Sequence, residues 1–221
     1  MGAVKVKNTA MAGGDRLLLL LFALFSSVPS LLAWNAVETI CAAIPDSPKQ
    51  INGRDCKDVS TVVAEDFYSD VLTQPGQLKF DGTQVTFATS AQIPALNSID
   101  LSLVRADLPP NTTFPPHTDH VAELMTVITG TLRVGLLTGY PNNKHIVVTL
   151  KPWMSVAIPA GVIHYLHNDG ATTTTGIAAF NGANIRPVFV TDVFSGDLST
   201  ALLAQTFRVD SDIIQKIQAQ F

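Results

Sequence analysis

Basic residues are few and scattered along this chain. Fourteen Lys and Arg stand against eighteen Asp and Glu, for a formal net charge of −4 over 221 residues. Without a basic face to grip a phosphate backbone, nucleic acid is excluded as a partner. Long apolar runs are missing too. The unbroken run LLLLLFALF at 17–25 falls well short of the ~20 residues a membrane-spanning helix needs, and no second such run follows. Cysteine is scarce, with Cys41 and Cys56 the only two. The chain cannot assemble a thiolate-rich structural zinc site. Beyond the N-terminal segment there is no linker, internal repeat or low-complexity tract, so one domain is expected.

What is present is largely apolar: hydrophobic residues make up 47% of the chain and charged residues 14%, enough to bury a full core. The N-terminus reads as a secretion signal over 1–33. Lys5, Lys7 and Arg16 form a positive region ahead of the short apolar run, and SSVPSLLA ends in small residues with a cut near Ala33. Both cysteines lie just past that cut, in CAAIPDSPKQINGRDC. In an oxidising compartment this pair would close a small loop, contributing ~3 kcal/mol by the chain-entropy estimate. The alternative is two free thiols.

After a turn-rich arm over 34–75 and its continuation LTQPGQLKFDGTQ, short β-branched and aromatic runs recur between Gly, Pro and Asn. They are TQVTFAT, SIDLSLVRADL, ELMTVITG, TLRVGLLTG, HIVVTL, MSVAIP, TTTGIAAF and RPVFVTDV. This spacing predicts an all-β sandwich or barrel over 76–221. The C-terminal LSTALLAQTF and DSDIIQKIQAQF switch to helical periodicity, with Ser or Asp at each start as a cap, and predict two short helices.

The stretch PPHTDHVAELMTVITG at 115–130 packs His117, Asp119, His120 and Glu123 into seven residues. Read as one strand, alternation sends His117, Asp119 and Glu123 to one face and His120 to the other. A second cluster, PAGVIHYLHN at 159–168, makes a Pro-x-Gly turn and then opens a strand with His164. A closed barrel would bring His164 against the first three residues. Two imidazoles and two carboxylates suit Mn(II), or alternatively Fe(II). His120 competes for a place in the set if a β-bulge at Thr118–Asp119 rotates it inward.

These two stretches resemble the paired motifs of the cupin superfamily, and the chain around them is similar to plant germins and germin-like proteins. The first motif runs Gly, five residues, His-x-His, three or four residues, Glu, six residues, Gly; His117, Glu123 and Gly130 keep its spacing. The second runs Pro-x-Gly, two residues, His, three residues, Asn, and is met by Pro159, Gly161, His164 and Asn168. The cysteines with the intervening Asn-Gly, the arm, and the terminal FRV followed by a helix extend the likeness over nearly the whole mature chain. The resemblance implies a secreted jelly-roll barrel, a glycoprotein assembled as a dimer or hexamer through barrel edges and C-terminal helices. It also implies a Mn ion held by three His and one Glu. His117, Glu123 and His164 match that ligand set.

Asp119 does not, because it occupies the position of the family's second His. Asn111 and Trp153 replace motif glycines, and Phe114 stands where oxalate-oxidising germins carry an Asn that helps hold substrate. With two carboxylates the shell around a divalent ion becomes formally neutral, which lowers its attraction for oxalate and for superoxide alike. As an enzyme the chain is expected to be a Mn-dependent oxidoreductase of the superoxide-dismutating kind rather than an oxalate oxidase, because dismutation needs one redox-active ion with an open position and no organic-substrate pocket. The alternative is a non-catalytic extracellular binding, matrix or storage-type cupin whose metal site is weakened or lost, with a small-molecule ligand in the barrel. His145 reads as a solvated loop residue and His167 as facing away from His164. The sequon at Asn111 is a glycan acceptor in a secreted protein.

Overall fold

Period-two alternation of apolar and polar residues builds most of this protein, and the ladders it forms close two sheets on one core. The computed structural model describes residues 40–48, 53–76, 78–80 and 82–221. The expected secretion signal lies outside the described residues. Along the chain the strands are β1 Leu78–Phe80, β2 Thr83–Ala88, β3 Ser102–Leu108, β4 Thr112–Thr118, β5 Glu123–Thr129 and β6 Leu132–Leu137. They continue with β7 His145–Leu150, β8 Ser155–Ile158, β9 Ile163–Asn168, β10 Thr174–Phe180 and β11 Val188–Phe189. A six-stranded sheet runs β1-β2-β3-β10-β5-β8 and a five-stranded sheet β11-β4-β9-β6-β7. Every strand pairing among the described residues is antiparallel. The result is an all-β jelly roll.

Alternation is clearest in β10, where buried and partly exposed positions alternate along all of Thr174–Phe180. The inward residues of both sheets meet as one core, with Val104, Met125 and Ala178 facing Val134, Leu166 and Leu132. Each large apolar side chain buried there contributes roughly 1.5–3 kcal/mol.

The arm packs on the barrel through specific tethers. Cys41 and Cys56 form a disulfide, and an isolated bridge pairs Ala43 with Cys56. Three single-turn 3-10 segments follow, at Val59–Thr61, Ala64–Asp66 and Val71–Thr73. From β3, Arg105 forks onto buried Asp107 at 2.8 and 3.0 Å and donates at 3.0 Å to the carbonyl of Leu72, so one guanidinium joins arm to sheet.

Among the described residues the helices are α1 Leu96–Ile99, α2 Asp192–Ser195, α3 Thr200–Phe207 and α4 Ser211–Gln218. The last two are the helices predicted from periodicity. Ser199 caps α3 by accepting from the Leu202 N–H at 3.2 Å, whereas the Asp210 side chain makes no capping bond. Other expectations are corrected. His145 opens β7 instead of lying in a loop, because its chain pairs with β6 through Leu137. The run at 186–193 supplies only β11 and then turns into α2. Part of the turn-rich segment after the arm pairs as β1.

The substituted motif glycines keep the backbone that glycine favours. Asn111 has φ +56° and Trp153 φ +69°, both left-handed, and each lies next to or within a tight connection. The Trp153 N–H donates to Val127 O at 2.8 Å, which holds the turn between β7 and β8 against β5.

Candidate metal centre

The expected single strand through His117 and Glu123 is broken in two. β4 ends at Thr118, residues 119–122 turn, and Glu123 begins β5 in the other sheet. Alternation therefore relates only His117 to Asp119, while Glu123, on the other sheet, lies outside the cluster of His117, Asp119 and His164 ligand atoms and approaches it through His164. His164 comes from β9, directly opposite His117 in the β4–β9 ladder. The register irregularity in that ladder falls between Phe114 and His117, not at Thr118–Asp119, and His120 is exposed.

His117, Asp119, Glu123 and His164 are all buried. One ligand atom from each of His117, Asp119 and His164 lies within 4.8 Å of the others. Asp119 Oδ2 is 3.7 Å from His117 Nε2 and 3.8 Å from His164 Nε2. Glu123 Oε2 is 3.1 Å from His164 Nε2, but the two are not aligned as a hydrogen bond. The imidazoles pack 4.0 Å apart between ring centroids.

Each ring is oriented through its other nitrogen. His117 Nδ1 lies 2.8 Å from Pro115 O and His164 Nδ1 lies 3.0 Å from Val162 O, both donating to carbonyls. That settles the tautomer of each neutral ring, with the proton on Nδ1 and the Nε2 lone pair turned toward the carboxylates, the arrangement a metal-ligating histidine needs. Asp119 Oδ2 and His164 Nε2 are sealed from solvent with no hydrogen-bond partner. Buried polar atoms left unmatched are costly, and a cation between them would satisfy both. The donor set therefore fits a hard or borderline divalent ion.

Electrostatics carry the same strain. Burial, followed by the charge of His164, pulls His117 down to about 3. Burial and the Glu123 carboxylate push Asp119 up to about 6, against the opposing pull of His164 and His120. Burial alone would pull His164 down, but Glu123, the Val162 carbonyl and Asp119 outweigh it and leave His164 above the ordinary imidazole value.

The walls are aromatic. Phe114, buried, meets the His117 ring edge-on at 4.7 Å and Phe189 at 5.5 Å, and Phe189 lies 5.7 Å from His117. Phe189 carried no signal in the sequence, because a two-residue strand distant in the chain places it. Inside the barrel a cavity of about 40 Å³ touches His117, Asp119 and Glu123 and is otherwise lined by apolar residues such as Met125 and Phe180. It holds roughly three waters or a ligand of a few heavy atoms.

The second motif supports the first. The Gly161 N–H donates to the Asp119 carbonyl at 2.8 Å, and Gly161 sits at φ +76°, where a side chain would be strained. Fully buried Asn168 donates at 2.8 Å to both Leu108 O and Thr172 O and accepts from the Gly170 N–H at 2.9 Å. His167 points away from the centre, with Nδ1 2.9 Å from Thr113 Oγ1. Exposed His145 pairs with Tyr165 at 3.3 Å on the outer face.

A jelly roll with imidazoles and carboxylates converging inside it defines the cupin class, and the profile of the cupin family matches residues 70–215. Within that family the chain belongs to the germin-like proteins. It is 36% identical over 190 residues to germin-like protein 2-2 of Oryza sativa subsp. japonica, covering 84% of this chain and 85% of that one. It is 33% identical over 194 residues to germin-like protein subfamily 1 member 19 of Arabidopsis thaliana, covering 84% and 87%. Among solved structures it resembles an oxalate oxidase, with a TM-score of 0.76 and 29% identity over 82% of this chain and 94% of that one.

Proposed function

We propose that this protein is a secreted metallocupin that holds Mn, or alternatively Fe, through His117, Asp119, Glu123 and His164, and that it acts on a small oxygen species rather than on oxalate. The observation that carries the reading is the pair of carbonyl-tethered imidazoles whose Nε2 atoms face two buried carboxylates, with Asp119 Oδ2 and His164 Nε2 otherwise unmatched. A redox-active ion bound there would supply one-electron exchange. The chain's own residues hold the ion, keep bulk water out through Phe114 and Phe189, and leave room beside the carboxylates for a ligand of a few atoms. Among the described residues no Lys or Arg lines that cavity, which disfavours a dianion such as oxalate.

The domain scheme belongs to the same proposal: a signal over 1–33, the disulfide-pinned arm over 34–75 and the barrel over 76–221. No helix among the described residues is long and apolar enough to cross a membrane. Assembly as a dimer or hexamer is supported by large apolar side chains left exposed on the C-terminal helices, Leu202, Phe207 and Ile213, and on β5 and its neighbouring turn, Leu124 and Trp153. Exposed Asn111 is the proposed glycan acceptor.

The aromatic wall and the formally neutral shell favour a second reading, a non-catalytic cupin that binds a small apolar ligand. Elemental analysis of protein purified from its secretion route, followed by a superoxide assay at known Mn occupancy, separates the two. Near-stoichiometric Mn with superoxide turnover supports the first. Protein without bound transition metal would remove it.

A further inference from the structure

The disulfide loop presents a guanidinium at the mouth of the barrel. Arg54 lies in the loop closed by Cys41 and Cys56, and Asn97 of α1 brackets it from both sides. The Arg54 N–H donates to Asn97 Oδ1 at 2.8 Å, and Asn97 Nδ2 donates to Arg54 O at 3.0 Å. Asn97 Nδ2 also approaches Cys41 Sγ at 3.0 Å, and the Cys41 N–H donates to Ser98 Oγ at 2.7 Å. Disulfide and helix thus fix the backbone from which the side chain projects. At its far end, Nη1 donates to the carbonyl of Pro45.

That side chain has no matching charge. No carboxylate pairs with Arg54 among the described residues, and its Nε is buried without an acceptor. Arg54 lines a cavity of about 240 Å³ together with Asn184 and Arg186, and no carboxylate lines it among the described residues. Asn184 is in a similar position. Its Oδ1 accepts from fully buried Ser90 at 3.0 Å, which turns the amide's Nδ2 away from that bond, and Nδ2 is also buried without an acceptor. The lining is therefore rich in donors and positive charge and poor in acceptors. Phe87, Ile185 and Pro187 line both this cavity and the one beside the candidate metal centre, so the two adjoin through an apolar wall.

We propose that Arg54, with Asn184 and Arg186, forms a binding site for a small anion, a carboxylate or an inorganic oxyanion, in a vestibule next to the barrel interior. An oxyanion supplies the acceptors that Arg54 Nε and Asn184 Nδ2 lack and a charge to match Arg54, and guanidinium-to-oxyanion bonds are among the stronger hydrogen bonds in proteins. The site stands apart from the metal reading. Only its service as an antechamber to the barrel rests on that reading.

The test is calorimetric titration of the full mature chain with acetate, inorganic phosphate and neutral acetamide, done as purified and again after metal removal with a chelator. At least one anion should bind in both states, acetamide should not, and Arg54→Gln should weaken the anion by roughly tenfold or more. Arg54→Lys should keep part of the affinity, and Arg133→Gln, which alters an exposed ion pair with Asp169 elsewhere, should change nothing. Acetate binding more tightly than phosphate marks a carboxylate site, and the reverse marks an inorganic one. The site is refuted if a folded Arg54→Gln protein binds as wild type, if acetamide matches acetate, if Arg133→Gln weakens binding equally, or if binding vanishes with the metal. Should Arg54→Gln fail to fold, Asn184→Ala carries the same expectation of weakened binding.

Discussion

The Gly161 N–H is bonded to the carbonyl of Asp119 over 2.8 Å, so the turn of the second motif holds in place the residue at which the first motif departs from its family. Asp119 is thus a fixed, buried carboxylate facing two imidazoles, whereas its neighbour His120 is exposed.

Asp119→Ala should therefore strip most of the metal. It should also abolish the metal-dependent rise in melting temperature, worth about 2.7 kcal/mol at a metal concentration a hundred times Kd. His120→Ala should leave both unchanged, and Asp119→His, by restoring net positive charge around the ion, should speed the reaction with superoxide at matched Mn occupancy. Metal analysis and thermal melts decide it. Loss of metal in His120→Ala with retention in Asp119→Ala would move the ligand assignment to His120.

Metal uptake should strengthen as pH rises from 5 to 8. The ion needs Asp119 and His164 without their protons, and in the metal-free protein these are held up to about 6 and above the ordinary imidazole value respectively. The signs for metal-free stability follow from the same shifts. Asp119 and His164, both raised, contribute stability that is present at low pH and lost as pH climbs through their folded values. His117, lowered to about 3, works the other way, its contribution present above the ordinary imidazole range and lost as pH falls. A Mn titration at several pH values reads the trend, and affinity that is flat across pH 5–8 would contradict it.

Oxalate should be a poor substrate. Phe114 is packed edge-on to His117, and its apolar ring offers no hydrogen bond to a substrate carboxylate. Peroxide release from oxalate by Mn-loaded protein should stay near background, and turnover at the rate of a true oxidase would show that Phe114 and the neutral shell do not govern specificity. Phe114→Ala should cost about 3–5 kcal/mol of stability, since a buried aromatic is removed.

Trp153→Gly should not destabilise the protein and should gain up to about 1 kcal/mol, because an L side chain in the left-handed region costs roughly 1–2 kcal/mol and glycine returns part of it as unfolded-state entropy. Trp153→Val should lose more than about 1 kcal/mol, a β-branched residue being strained at that φ. Chemical denaturation of the three proteins compares them directly.

Much of this was legible in the sequence because it depends on local pattern. Alternation marked most of the strands from Thr83 onward, 3.6-residue spacing marked α3 and α4, and motif spacing pointed to His117, Glu123 and His164. What escaped depends on contacts between distant segments. Glu123 was read as sharing a strand with His117, but the chain turns at 119–122 and changes sheet, which period-two reasoning cannot detect when polar residues fill the turn. Phe189 enters the site from a strand of two residues, too short to carry a pattern. Arg54 gains significance only from Asn97 and Asn184, 43 and 130 positions away in the sequence.

The crossing at 119–122 also has a dynamic consequence. His117 and His164 ride on one sheet and Glu123 on the other, so an ion gripped by all of them is a rivet through both layers. Any breathing that parts the layers must first let go of the rivet. The rate at which metal escapes would then serve as a clock for how often the barrel opens, and amide exchange in β5 and β9 should slow together when the ion is loaded.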